Sequence, residues 1–212
     1  MGCVETDAIA QLLQPFIQLD EMRLCAISTY IDLLLKWNSR INLTAIREPR
    51  EIVQRHFGES LFAAKYILAQ QKPLQTAIDL GSGAGFPGVP FAIMAPGAQV
   101  TLIESQQKKA TFLKELIYGL KLKNVKVFSD RAEAYPGTAD LVMLRAVENF
   151  ERALQMAVRL TTPGGRTALM IGSAQVALAK KLVAKVDWGD GVQIPEGHSR
   201  ELLIGTKLVR VE

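Results

Sequence analysis

The sequence predicts an α/β protein with a mostly parallel, doubly wound sheet, a helical cap before it and an antiparallel hairpin at its C-terminal edge. Three observations carry this. From residue 74 onward, short apolar runs alternate with amphipathic stripes, the pattern of a parallel sheet covered by helices. Before residue 74, apolar residues recur at three- and four-residue intervals, the helical period. A glycine-rich loop closes the first strand, at the edge where open α/β sheets bind ligands. The chain divides accordingly into a cap, residues 1–73, and a sheet domain, residues 74–212.

In the cap, Ile9, Leu12, Leu13, Phe16 and Ile17 form one stripe. Met22, Leu24, Ile27, Tyr30, Ile31, Leu34 and Leu35 form a longer one ending near Trp37. A short helix is expected after Pro49, a good first-turn residue, through Ile52, Val53 and His56, and another from Leu61 to Leu68. Pro73 closes this region. Strands are then expected at 76–80, 99–104, 125–128, 139–144 and 167–171, with helices through Val89–Met94, Phe112–Leu120 and Ala153–Leu160 between them. Pro163-Gly164-Gly165 is turn chemistry leading into the fifth strand. After a helix near Val176–Val186, stretches around Trp188–Ile194 and Leu202–Val211, joined by Pro195-Glu196-Gly197, leave no room for a crossover helix and should pair as a hairpin.

Composition excludes several classes. With 49% hydrophobic and 22% charged residues, the 212-residue chain is neither disordered nor fibrous. Cys3 and Cys25 have no CxxC partner, so neither a disulfide framework nor a zinc site is expected, and no metal is assigned. His56 and His198 are the only histidines, and no G-x-S-x-G turn is present to carry a hydrolase nucleophile. No apolar run approaches membrane-spanning length, and the opening Met1-Gly2-Cys3-Val4-Glu5 carries an acid where a signal peptide carries basic residues, so a cytoplasmic location and no membrane partner are expected. The net charge of +4 is unevenly spread: residues 1–74 hold eight basic and eight acidic side chains, residues 75–212 seventeen and thirteen. Lys108, Lys109, Lys114, Lys121, Lys123 and Lys126 stand against the single acid Glu115, a density that attracts phosphates if it faces one side and is a solvated helix surface otherwise.

The loop Asp79-Leu80-Gly81-Ser82-Gly83-Ala84-Gly85-Phe86-Pro87-Gly88 separates two cofactor classes. Its glycines fall at i, i+2 and i+4, whereas dinucleotide sites space them G-x-G-x-x-G. Glu104, ending the second strand, is placed to accept both hydroxyls of a ribose. This combination resembles the class I S-adenosylmethionine-dependent methyltransferase fold, a Rossmann-like sheet. In that fold Asp130-Arg131-Ala132-Glu133, after the third strand, would hold the adenine, and Arg145, ending the fourth, would face the methyl group and the substrate. The chain has no Pro-Pro pair, so the [DN]PP[YF] motif of exocyclic-amine methylation is missing, and both cysteines lie far upstream of the sheet, which disfavours carbon-5 chemistry.

Further stretches carry a more specific resemblance: Lys36-Trp37-Asn38 with Asn42-Leu43-Thr44, Arg55-His56, Ser60-Leu61, the loop from Asp79 to Pro90, Ser105 with Lys108-Lys109 and Phe112-Leu113, Arg131-Ala132-Glu133, Arg145-Ala146, and Arg200 with Leu202-Leu203 and Lys207. In this order they resemble the RsmG (GidB) small-subunit rRNA methyltransferases, which methylate guanine N7 in a 16S rRNA loop of the decoding region. The resemblance implies S-adenosylmethionine as cofactor, with contacts at Gly81, Phe86, Ala132, Glu133 and Arg145, to which the loop geometry adds Gly83, Gly85 and Glu104. It implies 16S rRNA or a small-subunit particle as partner. Leu144 stands where the family usually has serine, Ile171-Gly172 where it has Lys-Gly, and Glu59 where it has aspartate.

Guanine N7 carries a lone pair and no proton, so its methylation needs orientation and no general base. Arg145, the candidate catalytic residue, could donate to guanine O6 or hold the methionine carboxylate. Trp37, Asn38, Arg55 and His56 are candidate RNA contacts on the cap, with a core aromatic as the other reading of Trp37, and Lys108 and Lys109 are candidate phosphate contacts. Three other functions compete: a small-molecule methyltransferase using the same cofactor site, a nicotinamide oxidoreductase, and a non-catalytic RNA-binding protein on a relic fold.

Overall fold

A computed structural model of the chain describes residues 6–70, 72, 74–147, 149–197 and 199–209. Cys3, Pro73, His198 and the end of the last expected strand at Val211 lie outside the described residues.

The cap opens with α1 (Thr6–Leu13) and α2 (Glu21–Asn38). Asp20 starts α2 by accepting a hydrogen bond from the Arg23 amide, the usual N-cap role of a short acidic side chain. Its stripe of Leu24, Ile27, Tyr30, Ile31 and Leu34 is buried. The two helices expected at 49–56 and 61–68 are one continuous element. A turn of α3 (Pro49–Glu51) passes into a π-helical segment (Ile52–Gly58) and then into α4 (Glu59–Ala69). The wider π turn lets helix continue where the apolar period changes, and such turns concentrate at functional sites.

The sheet domain runs β1 (Thr76–Leu80), α5 (Gly88–Met94), β2 (Gln99–Ile103), α6 (Gln107–Gly119), β3 (Val125–Phe128), β4 (Ala139–Arg145), α7 (Phe150–Leu160), β5 (Thr161–Gly172), α8 (Ser173–Leu182), β6 (Val186–Trp188), β7 (Val192–Gln193) and β8 (Arg200–Lys207). Strand order is β3-β2-β1-β4-β5-β8-β6, with β7 also on β8. The first five strands pair in parallel; β8 is antiparallel to β5, β6 and β7. Order reverses between β1 and β4, which makes the carboxyl ends of these strands the topological switch point.

Successive residues of β4 and β5 divide the core. Leu141, Met143, Ala168 and Met170 join the cluster containing the cap helices, α5 and α6, while Val142, Leu144, Leu169 and Ile171 face α7 and α8. The strand period of two thus assigns each residue to one of two layers. Leu144 and Ile171, the departures from the family pattern, are buried in the second layer.

Two expectations are corrected. Pro163-Gly164-Gly165 lies within β5, where Gly164 takes φ +77° and the register to β4 shifts between Ala139 and Leu141, so the strand is bulged and twelve residues long. Helix α8 stops at Leu182, and Val186, expected in that helix, begins β6. There it covers Gly205 of β8, whose missing side chain makes room for Val186 and Trp188. The tail forms the expected antiparallel hairpin at the sheet edge: β6 and β7 pair with β8, which in turn pairs with β5. No described helix is long and apolar enough to cross a membrane.

Candidate active site

Loop backbone, rather than side chains, builds the first half of the site. Gly81, Gly83 and Gly85 take φ of +72°, +56° and +93°, a region L-residues rarely adopt. The amides of Gly81 and Ser82 donate to the Ile103 carbonyl at 3.0 Å, hanging the loop on the end of β2. Glu104, buried at the next position, accepts from Gly83 N at 2.9 Å and Gln106 N at 2.7 Å. The three glycines differ in purpose. A Cβ on Gly81 or Gly83 would meet no atom closer than 3.7 Å, so packing does not demand glycine there, although the positive φ favours it. A Cβ on Gly85 would strike the Tyr30 hydroxyl, which donates to the Ala84 carbonyl at 2.5 Å. Gly85 serves the junction with the cap.

Beneath the loop, Asp79 accepts from Gly88 N at 3.0 Å through Oδ2, while its buried Oδ1 has no hydrogen-bond partner. Burial pushes its carboxyl up to about 7, partly offset by the Gly88 and Ser82 bonds. A cavity of about 310 Å³ opens above, lined by Gly81, Glu104, Ala132, Glu133, Val147 and Met156 among others. That volume is at the lower end of the roughly 300–1,000 Å³ typical of ligand pockets. Ala132 and Glu133 sit on a 3₁₀ turn (Ala132–Ala134) fastened to α7. Arg159 donates to both their carbonyls, at 3.0 and 3.2 Å, and Arg152 pairs with the exposed Glu133 carboxylate at 2.5 Å.

Arg145 lies elsewhere. Expected to face the methyl group, it does not line this cavity: it is 8% exposed and bonded to the cap. Its Nη1 lies 3.1 Å from His56 Nδ1, and its Nη2 donates to the Arg55 carbonyl at 2.7 Å and to Glu59 Oε2 at 3.0 Å. Arg200 reaches the same Glu59 oxygen at 2.9 Å. Burial, then the positive charge of Arg145, lowers the His56 imidazole to about 3, so it is neutral. With Nδ1 accepting from Arg145, Nε2 carries the proton toward Thr44 Oγ1, 2.8 Å away. Thr44 is held in turn by Asn38, whose Oδ1 accepts from the Leu43 and Thr44 amides and whose Nδ2 donates to the Thr44 carbonyl.

The Asn38 and Thr44 of the quoted motif thus hold His56. Phe86 lies between the rings of Tyr30 and His56, with centroids 5.1 and 4.8 Å away, and edge-on to Phe57. Trp37 packs edge-on against Phe112, 5.8 Å away, half-buried against the core. Arg55 is exposed beside His56. Gly81, Glu104, Ala132 and Glu133 are brought together on one cavity; Asn38, His56, Phe86 and Arg145 gather at the cap–sheet junction; Trp37 joins neither group.

A family model described as GidB, rRNA small subunit methyltransferase G, matches residues 23–193. The chain belongs to the GidB family. A ribosomal RNA small subunit methyltransferase G from Xanthomonas euvesicatoria is 42% identical over 145 residues, covering 68% of this chain and 66% of that protein. One of the same description from Oenococcus oeni is 34% identical over 206 residues, covering 91% and 84%. In fold, the chain is similar to a SAM-dependent methyltransferase from Aquifex aeolicus, with TM-score 0.58 and 18% identity over 76% of this chain and 94% of that one. Sequence reasoning on this GidB chain passed over Arg152 and Arg159, quoted Thr44 without a role, and noted Glu59 only as a departure. Glu59 is the carboxylate that joins two arginines, and nothing local in the sequence marks it, because its partners lie 86 and 141 residues away.

Proposed function

We propose that this chain transfers the methyl group of S-adenosylmethionine to N7 of a guanine in 16S rRNA of the small ribosomal subunit. The observation that carries the reading is the switch-point cavity in a GidB chain, where the open Gly81 and the buried Glu104 carboxylate meet the Ala132–Glu133 turn. Its residues suit the cofactor. Gly81 leaves room for a ligand against backbone, Glu104 offers a carboxylate to ribose hydroxyls, and the turn after β3 is fastened for an adenine. When bound, S-adenosylmethionine supplies a methyl carbon made electrophilic by its sulfonium.

The residues present then need to orient and not to move a proton. The N7 lone pair would take the methyl carbon with the C–S bonding pair left on sulfur and positive charge passed to the base, so no residue would need to remove a proton. His56 is neutral, buried and bonded at both nitrogens, which fits a reaction without a general base. Arg145 works through the cap: it fixes the π-helical segment against the end of β4 and so sets the wall of the cleft.

Lys108 and Lys109 favour RNA over a neutral metabolite. They lie in the first turn of α6, a turn without an acid, where the helix dipole disfavours positive charge. Placing cations there is a stability cost that a phosphate contact offsets. Lys121 and Lys123 do not extend this patch, because they lie beyond the far end of the 13-residue helix, roughly 20 Å away. The test is incubation with S-adenosylmethionine and small subunits from a strain lacking this protein, then borohydride and aniline. Cleavage of 16S rRNA at one position is expected; resistance, with methyl transfer to a free metabolite, would overturn the reading.

A further inference from the structure

The end of β4 is a wall with a cavity on each side. Val147 lines both the cofactor cavity and a second one of about 330 Å³, whose lining includes Arg145, Phe150, Met170, Gly172, Gln175 and Arg200. The chain makes this wall by turning at Ala146 with φ +49°, an uncommon conformation for a residue with a side chain and one that clusters at functional sites.

The second cavity has the chemistry of a receptor for a flat ring with polar edges. Phe150 and Met170 supply apolar surface, and Phe150 is half-buried, packed against the second core layer at this lining. The Gln175 amide is fixed because its Oε1 accepts from Gly172 N at 3.1 Å, which leaves its NH₂ as an oriented donor. At the rim, Arg145 and Arg200 share one oxygen of one carboxylate, Glu59 Oε2, so the group carries a positive charge in excess. Arg200 also lines a neighbouring cavity of about 400 Å³, where it and Arg55 stand against Glu51, Glu59 and Glu196, so that cavity holds no excess of positive charge.

Resting on the reading of the chain as an rRNA methyltransferase, we propose that this second cavity receives the target guanine after it leaves its stack. Phe150 lies against the base face, the Gln175 amide donates to an acceptor on its edge, and Arg200 at the rim meets a flanking phosphate. Enzymes that act on a base within folded nucleic acid extrude it into such a pocket and read it by stacking and edge contacts. Transfer requires donor and acceptor to touch, and Val147 is the shared boundary across which they would.

The test compares full-length variants on unmethylated small subunits, with labelled methyl transfer for kcat/KM and calorimetry for S-adenosylmethionine. Stacking contributes about 1–3 kcal/mol per base. Phe150→Ala should therefore lower kcat/KM roughly 5- to 150-fold with cofactor affinity unchanged, and Phe150→Tyr should restore most of it. Gln175→Glu, which keeps the acceptor for Gly172 N and removes the NH₂ donor, should lower kcat/KM without loss of thermal stability. Wild-type kcat/KM in both Phe150→Ala and Gln175→Glu would overturn the pocket assignment alone, as would an equal loss of cofactor affinity. A wild-type protein that binds S-adenosylmethionine but methylates no rRNA would overturn the functional reading and the pocket together.

Discussion

Arg145 at the end of β4 and Glu59 at the start of α4 form a 3.0 Å ion pair with side chains only 7% and 3% exposed. A buried pair stripped of one partner typically costs about 3 to 5 kcal/mol, because the remaining charge is left in a poor solvent. Glu59→Ala removes the counter-ion of both Arg145 and Arg200 and should cost that much in urea unfolding. Arg145→Ala leaves Glu59 paired with Arg200 and should cost less. Equal costs would mean that Arg200 does not share the carboxylate.

Two glycines of one loop should fail in different ways. Gly85→Ala drives a methyl into the Tyr30 hydroxyl, and overpacking of this kind costs about 1–3 kcal/mol, so the midpoint of unfolding should fall. Gly81→Val clashes with nothing at its Cβ but holds a β-branched residue at φ +72°, so it should lose about 1–2 kcal/mol of stability, stay folded, and lose S-adenosylmethionine binding by calorimetry.

Replacing Lys108 and Lys109 together by Ala should raise stability slightly and weaken RNA binding. Removing two cations from a helix N-terminus is worth about 0.3–1 kcal/mol each at low salt. If both lysines touch phosphate, the slope of log affinity against log salt should flatten by about one to two units. A stabilised double variant with the parent slope would leave these lysines as solvated surface.

Asp79 and His56 oppose each other in acid. Folding raises the Asp79 carboxyl from 3.8 to about 7, so the folded state holds the extra proton, and Asp79's contribution to stability falls as pH rises from about 4 to 7. Folding lowers His56 from 6.5 to about 3, so the unfolded state holds that proton, and stability falls as pH drops from about 6.5 to 3. Between about 4 and 6.5 the two slopes have opposite sign. Asp79→Asn should expose the His56 slope, giving a protein more acid-sensitive than its parent and more stable above pH 7. Urea unfolding at pH 4.5, 6 and 7.5 checks this, and parallel profiles for the two proteins would refute it.

The sheet was legible because strands buried on both faces are short apolar runs between turn residues, and β1 falls where its sequence places it. The cap was less so. A π segment changes the helical period from within, and no residue type announces it, so one element reads as two. The loop was recognisable as a ligand loop, yet the separate purpose of Gly85 depends on Tyr30, 54 residues before Ala84 whose carbonyl it binds. Arg145 was legible as a strand-end arginine, but its surroundings come from Glu59, His56 and Arg200, which only the fold assembles.

The ring of Phe86, held between Tyr30 and His56, also bears on how a ligand is received. It grips the glycine loop from the cap side before anything binds, so the conformational entropy of ordering that backbone is lost during folding and not at the moment of encounter. Amide exchange in the loop around Gly85 should accordingly be slow already in the free protein, and cofactor should bind it as a receptor of fixed shape.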